Sequence, residues 1–196
     1  MTDLGLEDRF QQLCEDAGAI QTGHFQLASG FHSSRFFRCI KLFQNPAEML
    51  FLFDALAERF GDEQSGRIDC VLGANEAGSI LAFEVAKRLR AKVAIARQTN
   101  HGSNHRYRLI DGFSFQRQAR VLIVDDITTT GGTAKQLIEI VREAGAEPVG
   151  VGLIATKGLF DVDLSCRVEV LMTLKDMDAI SPTDCPLCEQ GIPLTT

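Results

Sequence analysis

Short apolar runs alternate with stretches of helical periodicity along most of this chain. Residues 121–124, Val-Leu-Ile-Val, form the compact β-branched run of a strand buried on both faces. Residues 134–144 then carry Leu137, Ile138 and Val141 at helical spacing, with Thr133 as the expected N-cap and Gly145 as the stop. Residues 68–72, 93–96, 148–155 and 168–172 read as further strands and 80–89 as a helix. Upstream, Leu6, Phe10, Leu13 and Ala17 lie on one stripe of an N-terminal helix over 3–17. Asn45-Pro-Ala-Glu48 has the form of a helix start, with Asn as cap, Pro in the first turn and Glu three residues after the cap. It leads into an apolar face of Met49, Leu50, Phe53, Leu56, Ala57 and Phe60. Strands that alternate with helices predict an α/β fold whose mostly parallel central sheet is flanked by helices on both faces. Ligands of such sheets bind at the carboxyl ends of the strands. Without an internal repeat or linker, residues 1–196 read as a single domain: an N-terminal helix and following segment over 1–45, a core over 46–175, and a tail over 176–196 that has lost periodicity and wraps the surface.

The most informative stretch is Asp125-Asp-Ile-Thr-Thr-Thr-Gly-Gly-Thr133, directly after the central strand. Backbone N–H groups of residues 129–133 are expected to converge at a helix N-terminus, where positive potential favours a phosphate monoester. The hydroxyls of Thr128, Thr129, Thr130 and Thr133 can donate to phosphate oxygens, and Gly131 and Gly132 let the backbone approach. Asp125 and Asp126 either accept from vicinal ribose hydroxyls or hold a hydrated Mg²⁺. The Gly-Lys-Ser/Thr ending of a nucleotide P-loop is absent.

Composition narrows the partners. The chain has 196 residues, 45% of them hydrophobic, and a formal net charge of −6 without a basic cluster, which argues against nucleic acid as a main partner. No apolar run approaches the length of a membrane span, and the first residues lack a leader pattern, so a cytoplasmic protein is expected. Of the six cysteines, Cys14, Cys39, Cys70 and Cys166 sit in apolar or amphipathic runs and read as core. Cys185-Pro-Leu-Cys188 has the spacing of a zinc or redox half-site, yet no second pair and no neighbouring histidine stand beside it in the sequence. Reduced structural thiols are the expectation there, with metal and disulfide as the alternatives.

The hydrophobic-Asp-Asp-x-Thr-Thr-Thr-Gly-Gly-Thr string resembles the 5-phosphoribosyl 1-diphosphate (PRPP) motif of the type I phosphoribosyltransferases. Three further segments make the resemblance one to the orotate phosphoribosyltransferases. Gly23-His-Phe-Gln-Leu-Ala-Ser-Gly-Phe-His-Ser-Ser-Arg-Phe-Phe37 is similar to their N-terminal base-binding segment. It implies a small hood over the base, with Phe36 and Phe37 near the pyrimidine and Ser29 and Gly30 supplying polar contacts. Gly73-Ala-Asn-Glu-Ala-Gly78 stands where the family has its pyrophosphate loop, so Ala74, Asn75, Glu76, Ala77 and Gly78 are implied ligands. Glu76 departs from the pattern, because a carboxylate repels pyrophosphate unless Mg²⁺ intervenes or the side chain turns away. The polar segment 97–108, centred on Gly102, matches the family's closing lid. No lysine lies between Lys92 and Lys135, so Arg106 inherits the task of neutralising the leaving pyrophosphate, with Arg97, His101, His105 and Arg108 as auxiliaries. Lys157 occupies the neighbourhood where the family carries an arginine for the orotate carboxylate, and Ala28 replaces a lysine that some members have.

The resemblance implies transfer from PRPP to orotate, giving orotidine 5′-monophosphate and pyrophosphate, with Mg²⁺ as cofactor and a homodimer that shares its active sites. Asp125, Asp126 and Arg106 are the implied catalytic residues. Two alternatives remain open: a phosphoribosyltransferase for another base, and a non-catalytic PRPP-binding regulator.

Overall fold

The computed structural model describes residues 5–27, 30–62, 66–101, 104–158, 160, 162–174, 177 and 179–195, without the side chains of 100, 101, 104 and 105. Two compact units emerge, one of residues 49–173 and one that joins 1–48 to 174–196. The C-terminal tail therefore folds together with the N-terminal segment.

The larger unit is built on a six-stranded sheet of β3 (Cys70–Ala74), β4 (Lys92–His101), β5 (Asn104–Leu109), β6 (Arg120–Thr128), β7 (Glu147–Lys157) and β8 (Arg167–Leu174), in the order β5-β4-β3-β6-β7-β8. The β3–β4, β3–β6 and β6–β7 pairs are parallel, and β5 runs antiparallel to β4 at the edge. Val71, Leu72, Val121, Leu122, Ile123 and Val124 are fully buried, as a central strand covered on both faces requires. Helix α4 (Gly132–Glu143) buries Leu137, Ile138 and Val141, and Gly145, at φ +73°, ends it in the left-handed conformation.

Helix α2 (Leu50–Phe60) begins later than Asn45-Pro-Ala-Glu48 suggested. Asn45 accepts from the Glu48 N–H in a turn, and the helix follows from Met49. Its buried face is Met49, Leu52, Phe53, Leu56, Ala57 and Phe60, while Leu50 is turned outward. Glycines on β7 make room for this face: a Cβ on Gly150 would stand 2.5 Å from a Phe60 ring carbon, and one on Gly152 3.0 Å from Leu56 Cδ1. Helix α3 (Asn75–Leu89) starts immediately after β3, five residues earlier than its apolar periodicity implied.

In the smaller unit, α1 (Leu6–Asp16) packs Phe10 and Leu13 inward. Strands β1 (Ile20–Gln26) and β2 (His32–Phe37) form an antiparallel hairpin with a bulge between Thr22 and Phe25. A 3₁₀ turn follows over Cys39–Gln44, and the tail supplies a second one at Pro182–Asp184 and a single helical turn, α5 (Pro186–Glu189).

Candidate active site

The carboxyl ends of β3 and β6 bring together Gly73, Asn75, Gly78, Asp125 and Asp126. A Cβ on Gly73 would lie 1.9 Å from the Gly78 carbonyl oxygen, so β3 and the first turn of α3 meet backbone to backbone. A Cβ on Gly78 would in turn lie 3.3 Å from Asp125 Oδ1. The segment 73–78 is thus a tight strand-to-helix junction, with residues 75–78 already helical. Asn75 holds it in a left-handed conformation, φ +55°, that Asn tolerates better than most residues. Glu76 is exposed in the first helical turn, where the helix dipole favours a carboxylate.

Asp125 accepts a hydrogen bond from the Asp126 N–H at 3.1 Å. Burial pushes its carboxyl well above the usual carboxylate range, and the negative charge of Asp126 pushes in the same direction. A carboxylate placed so will gain most from a positive charge brought beside it.

Beyond them the Thr/Gly loop divides into inner and outer residues. Thr128 is buried, and its Oγ1 accepts from the Gly131 N–H at 3.0 Å, which shapes the loop. Gly131 sits at φ +70°, with Phe160 3.2 Å from where a Cβ would be. Thr129, Thr130 and Gly132 are exposed. The N-cap of α4 is Gly131 and not Thr133, so the cap residue brings no side chain to the first-turn N–H groups and no acidic residue stands in that turn. Those donors are left for an anion.

Tyr107, which the sequence did not single out, ties the site together. Asn75 Nδ2 donates to its hydroxyl at 3.1 Å, and the hydroxyl is 3.5 Å from Thr133 Oγ1. The Tyr107 N–H donates to Gln136 Oε1, and the Gln98 N–H to Asn75 Oδ1. This network links α3, β4, β5 and α4. Its only sequence signal was an isolated tyrosine in a polar stretch.

The segment expected as a lid is a strand pair. Arg97 on β4 lies in register with Arg108 on β5, and Thr99 with Arg106. Partners in register share a face, as do residues two apart, so Arg97, Arg106 and Arg108 all lie on one face and are exposed. Gly102 lies outside the described residues, as do the side chains of His101 and His105. Lys157 ends β7, and burial lowers its pKa.

In the smaller unit, Phe37 is buried against Phe10 (ring centroids 6.2 Å apart), while Phe36 is half-buried between Phe25 and the Arg38 guanidinium. Gly30 takes φ +83° in the turn between β1 and β2. Ser29 and Ala28 lie outside the described residues.

A mostly parallel sheet with paired carboxylates and an anion-binding loop at its strand ends defines a class of protein that handles a sugar phosphate. Residues 41–183 match the phosphoribosyl transferase domain family. The chain is 36% identical to the orotate phosphoribosyltransferase of Pelotomaculum thermopropionicum, over 95% of this chain and 94% of that one. It is also 36% identical to that of Thermotoga maritima, over 93% and 94%. Among solved structures, the orotate phosphoribosyltransferase of Aeropyrum pernix superposes with a TM-score of 0.70 at 24% identity, covering 84% of this chain and 93% of that one. The adenine phosphoribosyltransferase of Rhodothermus marinus superposes with 0.65 at 24%, covering 86% and 99%. The chain belongs to the phosphoribosyltransferase family and, within it, to the orotate phosphoribosyltransferases. It has the type I phosphoribosyltransferase fold and is a PRPP-dependent pentosyltransferase.

Proposed function

We propose that the protein transfers the 5-phosphoribosyl group of PRPP to orotate, releasing pyrophosphate, in pyrimidine nucleotide synthesis. The observation that carries this reading is the Asp125–Asp126 pair at the end of β6, followed by a helix N-terminus with no side-chain cap; relatives sharing 36% identity over nearly their whole length are named for the same activity. A ring nitrogen of orotate attacks the anomeric carbon and loses its proton. The carbon–oxygen bond to pyrophosphate breaks, and its electron pair leaves with pyrophosphate. Charge separates along this path, so electrostatic placement dominates. Thr129, Thr130, Gly132 and the first turn of α4 anchor the 5′-phosphate. Asp125 and Asp126 orient the ribose hydroxyls and stabilise the positive charge that grows on the sugar. Arg106, with Arg97 and Arg108 on the same face, receives the pyrophosphate. Lys157 supplies a positive charge for the orotate carboxylate.

Hard oxygen donors at adjacent carboxylates suit Mg²⁺, which Asp125 and Asp126 would hold directly or through water. When bound, it neutralises charge on the diphosphate. Self-association is part of the same reading. It is supported by Leu50 on α2 and Ile80 and Phe83 on α3, large apolar side chains that are 48%, 42% and 56% exposed. A cytoplasmic site of action is in keeping with these substrates, and among the described residues no helix is long and apolar enough to cross a membrane.

The test is an ultraviolet assay of orotate consumption with PRPP and Mg²⁺. Turnover that needs both substrates supports the reading. Turnover with adenine or another base, and none with orotate, moves the assignment to that base. PRPP binding without any transfer points to a regulator.

A further inference from the structure

Outside the active site, two imidazoles and two thiols of the smaller unit cluster together. His24, His32, Cys185 and Cys188 each offer one ligand atom, and these atoms all lie within 4.8 Å of one another. His24 Nε2 is 2.9 Å from His32 Nδ1 and 3.6 Å from each Sγ, and Cys188 Sγ is 3.2 Å from His32 Nδ1. Zinc–nitrogen and zinc–sulfur bonds of about 2.0 and 2.3 Å, set tetrahedrally, put ligand atoms roughly 3.3 to 3.8 Å apart. Three of the four distances fall within or next to that range, and a small spread of the rings opens the fourth to it.

Local structure aims each ligand. The bulge between Thr22 and Phe25 breaks the alternation of β1, so that His24 and Phe25 are both buried. His24 Nδ1 lies 2.6 Å from the Ile192 carbonyl oxygen and must donate to it. That bond leaves the Nε2 lone pair directed at the cluster, the second-sphere arrangement typical of a metal-bound imidazole. His32 is pinned at its backbone by paired hydrogen bonds with Ile180. Cys185 closes the 3₁₀ turn and Cys188 lies on α5, which gives the two-residue spacing of a zinc knuckle. Without a metal, four soft or borderline donors face one another with one hydrogen-bond acceptor, His24 Nε2, committed in orientation. With a metal, all four are satisfied at once.

We propose that His24 Nε2, His32 Nδ1, Cys185 Sγ and Cys188 Sγ bind one zinc ion in a closed structural site that fastens the C-terminal tail to the β1–β2 hairpin. The donor set of two thiolates and two imidazoles selects zinc among common divalent ions. Four protein ligands leave no open position, so the ion is structural and takes no part in phosphoribosyl transfer. Cys185, His24 and His32 are buried, and exposed Cys188 gives the ion its way in. The tail gains two further ties to the hairpin at the same place, His24 N–H to Thr195 Oγ1 and Thr195 N–H to the His24 carbonyl.

The experiment uses the full chain without a histidine tag, purified under reducing conditions and loaded with Zn²⁺ or Co²⁺ alone. Elemental analysis after desalting should find about one zinc per chain, and close to none in a Cys185→Ser/Cys188→Ser double variant. The cobalt-loaded wild type should show the intense visible bands of a tetrahedral ion and a near-ultraviolet thiolate charge-transfer band. A chelator should lower the melting temperature of the wild type and leave that of the double variant unmoved. Should the double variant fail to fold, the wild-type cobalt spectrum decides by itself. Substoichiometric zinc, a weak octahedral cobalt spectrum, or a chain two daltons light from a Cys185–Cys188 disulfide would each overturn the proposal.

Discussion

Asn75 Nδ2 stands 3.1 Å from the Tyr107 hydroxyl, and through that bond the strained start of α3 is held to the edge strand β5. The Asn75→Ala change removes both side-chain bonds and leaves a left-handed backbone with a residue that disfavours it. We expect a loss of about 1–3 kcal/mol in urea denaturation, with a fall in kcat/KM. The Tyr107→Phe change keeps the ring and should cost only about 0.5–1.5 kcal/mol. Equal losses for the two would mean that the backbone at Asn75 is not strained.

Asp125 is expected to trade stability for function. Its carboxyl is raised by burial and by Asp126, so between the ordinary carboxylate value and the raised one the native state binds more protons than the unfolded state. Stability contributed by this group therefore falls as pH rises through that window. Asp125→Asn should remove the penalty and melt higher than the wild type at neutral pH, while the two converge in acid. The double change Asp125→Asn with Asp126→Asn should abolish transfer and leave the circular dichroism spectrum unchanged. Retained turnover would remove both residues from the mechanism.

Gly78 and Gly73 should respond differently to a methyl group. At Gly78 the methyl meets Asp125 Oδ1 at 3.3 Å, a contact that a small shift of the carboxylate relieves. Gly78→Ala should thus fold and show reduced kcat. At Gly73 the methyl meets a backbone oxygen at 1.9 Å and cannot be relieved locally. Gly73→Ala should lose more than about 3 kcal/mol or fail to fold, as read by thermal melting and soluble yield.

Arg97 and Arg108 are directly paired across β4 and β5, an arrangement that opposes like charges and gains from a bound anion. Arg106→Ala should raise KM for PRPP and lower kcat. Arg97→Gln should raise KM for PRPP while leaving the melting temperature equal or slightly higher. Both variants should show a shallower dependence of kcat/KM on salt than the wild type.

Lys157 must be protonated to attract a carboxylate, and burial lowers its pKa, so KM for orotate should rise with pH earlier than an ordinary lysine allows. Lys157→Ala should raise KM for orotate throughout and flatten this pH dependence, with KM for PRPP unchanged. A flat wild-type profile would exclude Lys157 from base recognition.

Periodicity and local chemistry were enough to determine the α/β class, the central strand, the Thr/Gly loop and the carboxylate pair, because each depends on residues close together in the chain. Val121–Val124 has the short β-branched form of a doubly covered strand, and a run of Thr and Gly after two aspartates can form an anion loop without help from elsewhere. Tertiary structure decided what depends on distant partners. The second half of β4 and the edge strand β5 are polar and carry no apolar alternation to betray them, so a pairing of Arg97 with Arg108 was invisible. Helix α3 begins at Asn75 because backbone contact between Gly73 and Gly78 and two long-range hydrogen bonds hold it there, against a residue that gives no helical signal. The Cys185–Cys188 pair lacked a neighbouring histidine in the sequence, yet the chain brings His24 to it across 161 residues. Spacing can encode a half-site, but only the fold of the hairpin and tail, with a bulge to turn His24 inward, supplies the other half.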